Sequence, residues 1–126
     1  MEKIFKEELC CENTCGECVF PGYEALCDIF TQAIHRAAVG KGRERHSKPG
    51  LVFEEQMICS EIREEGHGAA RFQAKKKITE AKRLPKEEAI LELLDAMVYL
   101  AADVIVLSEE LEITKKKMSC ELKEGI

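Results

Sequence analysis

Proline is scarce in this chain, three residues in 126, and the glycines gather in a few short stretches. Little therefore stands in the way of long helices. Positive charge is also in short supply: the formal net charge is −5. That excludes a general nucleic-acid binder, which needs a basic surface to neutralise phosphates. The opening MEKIFKEELCC carries acids and lacks the apolar centre of a secretory leader, so a cytoplasmic protein is expected. No internal repeat or low-complexity segment is present, and no Gly-Lys-Ser/Thr phosphate loop. The apolar run at 89–107 has the length of a membrane span but includes Glu92, Asp95 and Asp103. Each carboxylate costs roughly 2.5–3.5 kcal/mol at a bilayer centre, so no membrane partner is expected. What remains, with 45% hydrophobic and 34% charged residues, is the profile of one soluble, ordered, helix-rich domain.

The most apolar stretch is KEEAILELLDAMVYLAADVIVL, residues 86–107. As a helix it is greasy nearly all round, and its polar exceptions Glu92, Asp95, Tyr99 and Asp103 fall on one stripe. Such a helix belongs at the centre of a bundle. The charged partner segments are too poor in apolar residues to cover it, so a homo-oligomer is expected. Around it, Tyr23, Leu26, Cys27, Phe30, Ala33, Ile34 and Ala37 give a helix over 23–39 with one apolar face and His35 off that face. Residues 53–84 read as helix broken at Gly66-His67-Gly68, with Phe53, Met57, Ile58 and Ile62 inward in its first half. Pro85 suits the first turn of the central helix, followed by Glu87 and Glu88. The expected fold is all-α: a helical bundle of three to four main helices over 21–110, a cysteine-rich N-terminal arm over 1–20, and a mixed-charge C-terminal tail over 111–126.

Two segments outside the central helix carry chemistry. In the arm, Cys15-Gly-Glu-Cys18 is a CxxC with Cys10 and Cys27 in reach, a set able to hold Zn²⁺ through four thiolates. A second CxxC and a histidine at finger spacing are both missing, and free thiols on an extension are the plainer reading. Between the first two helices, Lys41, Arg43, Arg45, His46 and Lys48 lie among glycines. Side chains and exposed N–H groups of that kind suit a phosphate, with the arginines as forked partners. A merely solvated basic loop fits equally well.

The third constellation concerns carboxylates. If 68–84 and 86–107 form an antiparallel hairpin, Glu92 meets Lys77 and Asp95 meets Gln73 and Ala74, so part of the stripe is an ion-pair seam. The functional reading uses Glu92-Leu-Leu-Asp95 and Glu61-Ile-Arg-Glu64, an ExxD and an ExxE. Carboxylates three apart on two inward-facing helices are how bundles hold Mg²⁺ or Mn²⁺. The segment ELLDAMVYLAADVIVL resembles the second motif helix of the MazG-like all-α nucleoside triphosphate pyrophosphohydrolases. That resemblance implies metal-dependent cleavage of NTPs to NMP and pyrophosphate. On it, Glu61, Glu64, Glu92 and Asp95 are the metal ligands, Lys76 and Lys77 stabilise the leaving phosphate, and Lys75 joins the basic loop in phosphate binding. The chain departs from the family pattern in placing Lys77 and Gln73 opposite the ExxD. Its ExxE lies roughly 20 Å away along a straight helix unless the glycines at 66 and 68 turn the chain back. The alternative is a non-catalytic helical oligomer that binds a phosphorylated small molecule or a protein partner, of the general character of small phage-encoded proteins.

Overall fold

The computed structural model describes residues 20–39 and 50–124. Four α-helices make up these residues: α1 Glu24–Val39, α2 Met57–Glu65, α3 Gly68–Ala81 and α4 Lys86–Glu124. A single 3-10 turn at Phe53–Glu55 leads into α2. No strand occurs among the described residues, and none of their helices is long and apolar enough to cross a membrane. The all-α reading holds. The arm at 1–19 and the loop at 40–49, with their candidate ligands Cys10, Cys15, Cys18, Lys41, Arg43, Arg45, His46 and Lys48, lie outside the described residues.

The long helix α4 is the axis, and the other three lie along one side of it. Its 39 residues run about 58 Å. It continues to Glu124, through most of the expected tail at 111–126, because no Gly or Pro interrupts 86–124 and the added residues are mostly strong helix formers. Pro85 sits one position before the helix and its carbonyl accepts the Ala89 amide at 2.8 Å, so it caps the helix instead of opening it. Just upstream, Lys82, Arg83 and Leu84 donate backbone hydrogen bonds to Thr79, Glu80 and Ala81. This tight turn sends α4 back antiparallel along α3.

The break foreseen at Gly66-His67-Gly68 is a sharp corner. Gly66 adopts φ +100°, a conformation L side chains rarely take, and its amide closes α2 on the Ile62 carbonyl at 2.8 Å. The corner folds α2 onto α4, where Ile58, Cys59 and Ile62 meet Ala70, Ala102 and Val106 in the core. Small residues dominate the contact with α3: Ala70, Ala74, Ala96 and Ala102 are all buried. Alanine lets helix axes approach closely, but it buries little apolar area per residue.

Met57, expected inward, is exposed, and much other apolar surface stays outside the core. The apolar face of α1 buries only Ala33; Tyr23, Leu26, Phe30 and Ile34 stand more than half exposed. Phe72 and Ile78 on α3 are likewise exposed. Three short helices occupy only part of the circumference of α4, so its remaining face, and the outer face of α1, stay uncovered in the single chain.

Candidate functional site

The polar stripe of α4 faces its neighbours, and it resolves into two clusters of charge. In the first, Arg36 from the last turn of α1 grips Asp95 with a fork: Nε donates to Oδ1 at 2.9 Å and Nη2 to Oδ2 at 2.8 Å. Both side chains keep under a fifth of their surface. Lys77 from α3 adds longer contacts, 3.4 Å to Glu92 and 3.6 Å to Asp95. The Asp95 hydrogen bond is the main reason the Arg36 guanidinium is held even more firmly protonated than usual. Two cations thus meet two carboxylates.

The second cluster lies two to four turns further along. Asp103, the buried member of the stripe, accepts from His67 Nδ1 at 2.5 Å and from Arg71 Nε at 2.8 Å. The other ring nitrogen of His67 donates to Glu110 at 2.8 and 3.0 Å. Ionised carboxylates only accept, so an imidazole bonded to one through each nitrogen is a doubly protonated imidazolium. Its pKa is accordingly raised, first by the Glu110 hydrogen bond and then by Asp103. Burial pushes the Asp103 carboxyl up, but the Arg71 and His67 hydrogen bonds together hold it below its ordinary value. Nearby, Arg63 forks Glu109 at 2.9 and 2.7 Å and also donates to the Glu54 carbonyl at 2.7 Å.

Between α2, α3 and α4 an open pocket of about 320 Å³ is lined by Glu61, Glu65, Phe72, Gln73 and Tyr99 among others. Tyr99 belongs to the stripe and stands one turn, about 6 Å, above Asp95. The corner at Gly66 therefore brings the ExxE helix back beside the ExxD helix. Glu61 reaches the pocket, and Glu64 points to solvent from the same helix. Lys75 and Lys76 are exposed on α3, and Lys77 is held in the first cluster. Cys27 is a half-buried cysteine in α1. Among the described residues, no three His, Cys, Asp or Glu side chains converge so as to hold a metal ion. As they stand in the single chain, then, Glu61 and Glu64 on α2 and Glu92 and Asp95 in the stripe do not form a ligand set.

The Glu92–Lys77 pairing follows from hairpin geometry alone. The polar partners of Asp95 do not: its hydrogen bonds come from Arg36. The signal for Arg36 is its position: three residues after buried Ala33, it shares the one face of α1 that touches α4. The His67–Asp103–Glu110 bridge is missed for a different reason, since it depends on how the glycine corner aims the ring. No protein-family model, no curated protein and no solved structure matches the chain.

Proposed function

We propose that the chain is a divalent-metal-dependent nucleoside triphosphate pyrophosphohydrolase of MazG-like type, working as a homo-oligomer in the cytoplasm. The observation that supports this reading is the corner at Gly66, which returns the Glu61/Glu64 helix to the Glu92/Asp95 helix, with a pocket between them lined by Glu61 on one and by Tyr99, one turn from Asp95, on the other. Without it α2 would run on from α3 as one straight rod, and the Glu61/Glu64 pair would lie roughly 20 Å further along it. A bound Mg²⁺ or Mn²⁺ would polarise a phosphoryl oxygen and lower the pKa of a water. The chain's own contribution is cationic. Lys75 and Lys76 stand free at the surface of α3 for triphosphate oxygens, and Lys77 is held near the stripe to stabilise the leaving phosphate. The basic loop supplies Arg43 and Arg45 as forked phosphate partners. In the single chain Arg36 and Lys77 hold Asp95 and Glu92, so ion binding requires Asp95 to leave the Arg36 fork.

The test is pyrophosphate release by the full-length protein from a panel of nucleoside triphosphates, with and without Mg²⁺ or Mn²⁺. Asp95→Asn, nearly isosteric, should abolish release while the helix content and melting profile stay close to wild type. A wild-type protein that releases no pyrophosphate under any of these conditions sinks the enzyme.

A second reading draws on the Arg36 fork itself. The first cluster is already balanced, two cations against two carboxylates, as a purely structural seam would be. On that reading the protein is a non-catalytic helical oligomer that binds a phosphorylated small molecule or a protein partner. Nucleotide retained without hydrolysis, and lost in Arg45→Ala, would favour it.

A further inference from the structure

One face of α4 repeats with a period the bundle does not use. From Ile90, steps of three and four alternate without a slip through Leu93, Met97, Leu100, Val104, Leu107 and Leu111 to Thr114 and Met118. This is four heptads of a and d positions, the pattern of a two-stranded coiled-coil seam. Leu94, Ala102, Asp103 and Val106, which the neighbouring helices bury, all lie off it. The seam itself is open: Ile90, Val104, Leu111 and Met118 are more than half exposed, and Leu93, Leu100 and Leu107 more than two-fifths. Its one polar member is no obstacle, because the Thr114 hydroxyl bonds back to the Glu110 carbonyl at 3.0 Å and leaves its methyl for packing.

We propose that this seam is the interface with a second copy of the chain, helix α4 against helix α4. The proposal deepens the homo-oligomer reading by naming the surface that forms it. Three observations select a second copy over an unrelated partner. The strict heptad is self-complementary, since any copy carries the same knobs and holes. Charge agrees as well, because Lys115 at an e position meets Glu110 of a parallel copy or Glu87 of an antiparallel one. The length and continuity of the apolar surface agree too. The seam is about 43 Å long and about 10 Å wide, and it merges at Met97 with an apolar groove whose other wall is Phe30 and Ile34 of α1. The seam alone gives roughly 860 Å² over two copies, and the adjoining α1 face adds to it toward the about 1,200–2,000 Å² of stable interfaces.

The experiment combines sedimentation of the full chain with a photo-crosslinking amino acid placed at Leu107 or, on the far side, at Lys76. Wild type should sediment as a dimer or a multiple of it, and only the Leu107 position should yield a chain-to-chain adduct. Val104→Glu with Leu107→Glu should weaken association by at least about 100-fold and leave a helical monomer, since neither side chain belongs to the core. If that variant fails to fold, the adduct pattern still decides. An oligomer with no adduct from Leu107 overturns the seam but leaves the oligomer reading intact. A wild-type monomer overturns both.

Discussion

The two charge clusters on α4 are built to the same arithmetic and differ in one residue type. Near the helix start, Arg36 and Lys77 face Glu92 and Asp95. Further along, His67 and Arg71 face Asp103 and Glu110. Each sets two cations against two carboxylates, yet only the second contains a cation that loses its charge near neutral pH. The first is a fixed seam joining α1 and α3 to α4. The second fastens the glycine corner, and its strength depends on the medium.

Breaking the second cluster at its buried end should have the largest effect. Asp103→Asn removes the charge that both His67 and Arg71 address, and unfolding free energy should fall by about 2–3 kcal/mol in denaturant titration. An unchanged midpoint would mean that the cluster contributes no stability.

The pH response separates the clusters directly. The folded pKa of His67 is raised above its ordinary value of 6.5, so its stabilisation is complete below that value and is lost as pH rises through the folded pKa. Thermal melts from mildly acidic to mildly alkaline pH should show stability declining upward, and His67→Gln should flatten that slope. The groups that face the ring are Asp103 and Glu110 on α4, with Arg71 of α3 bonded to the same Asp103. A slope that persists in His67→Gln would assign the response to another group.

The smallest expected effect lies in the first cluster. Lys77→Met removes only the two long contacts and leaves the Arg36 fork, so stability should change by about 1 kcal/mol or less. A loss as large as that of Asp103→Asn would make Lys77, not Arg36, the anchor of the seam.

The difference between the clusters also marks what was legible in the sequence. Local rules reach the helices, the break at Gly66-His67-Gly68, the turn at Pro85 and the Glu92–Lys77 pair, since each follows from spacing along one hairpin. Arg36 meets Asp95 across 59 residues of chain; periodicity puts Arg36 on the inner face of α1, but which residue of α4 it meets depends on how the two helices pack. The apolar face of α1 is legible but its burial is not, because such a face states what a helix can bury, not what the chain supplies to bury it against. Ala33 is covered and Ile34 is not. The heptad along α4 was present in the sequence throughout. It was masked by the acidic stripe and by apolar residues on nearly every other face of 86–107, and it separates from them only once the bundle-facing residues are known.

Cys59 carries the fold-back of α2 into the domain of time. Its side chain has no exposed surface, and burial pushes its thiol up, away from the reactive thiolate. A thiol reagent can reach it only when α2, nine residues long, lifts from α4. The modification rate of this one sulfur therefore clocks how often the Glu61/Glu64 helix leaves its seat. Metal or nucleotide that draws that helix closer to Asp95 would slow the clock, and ligand that pries it away would speed it.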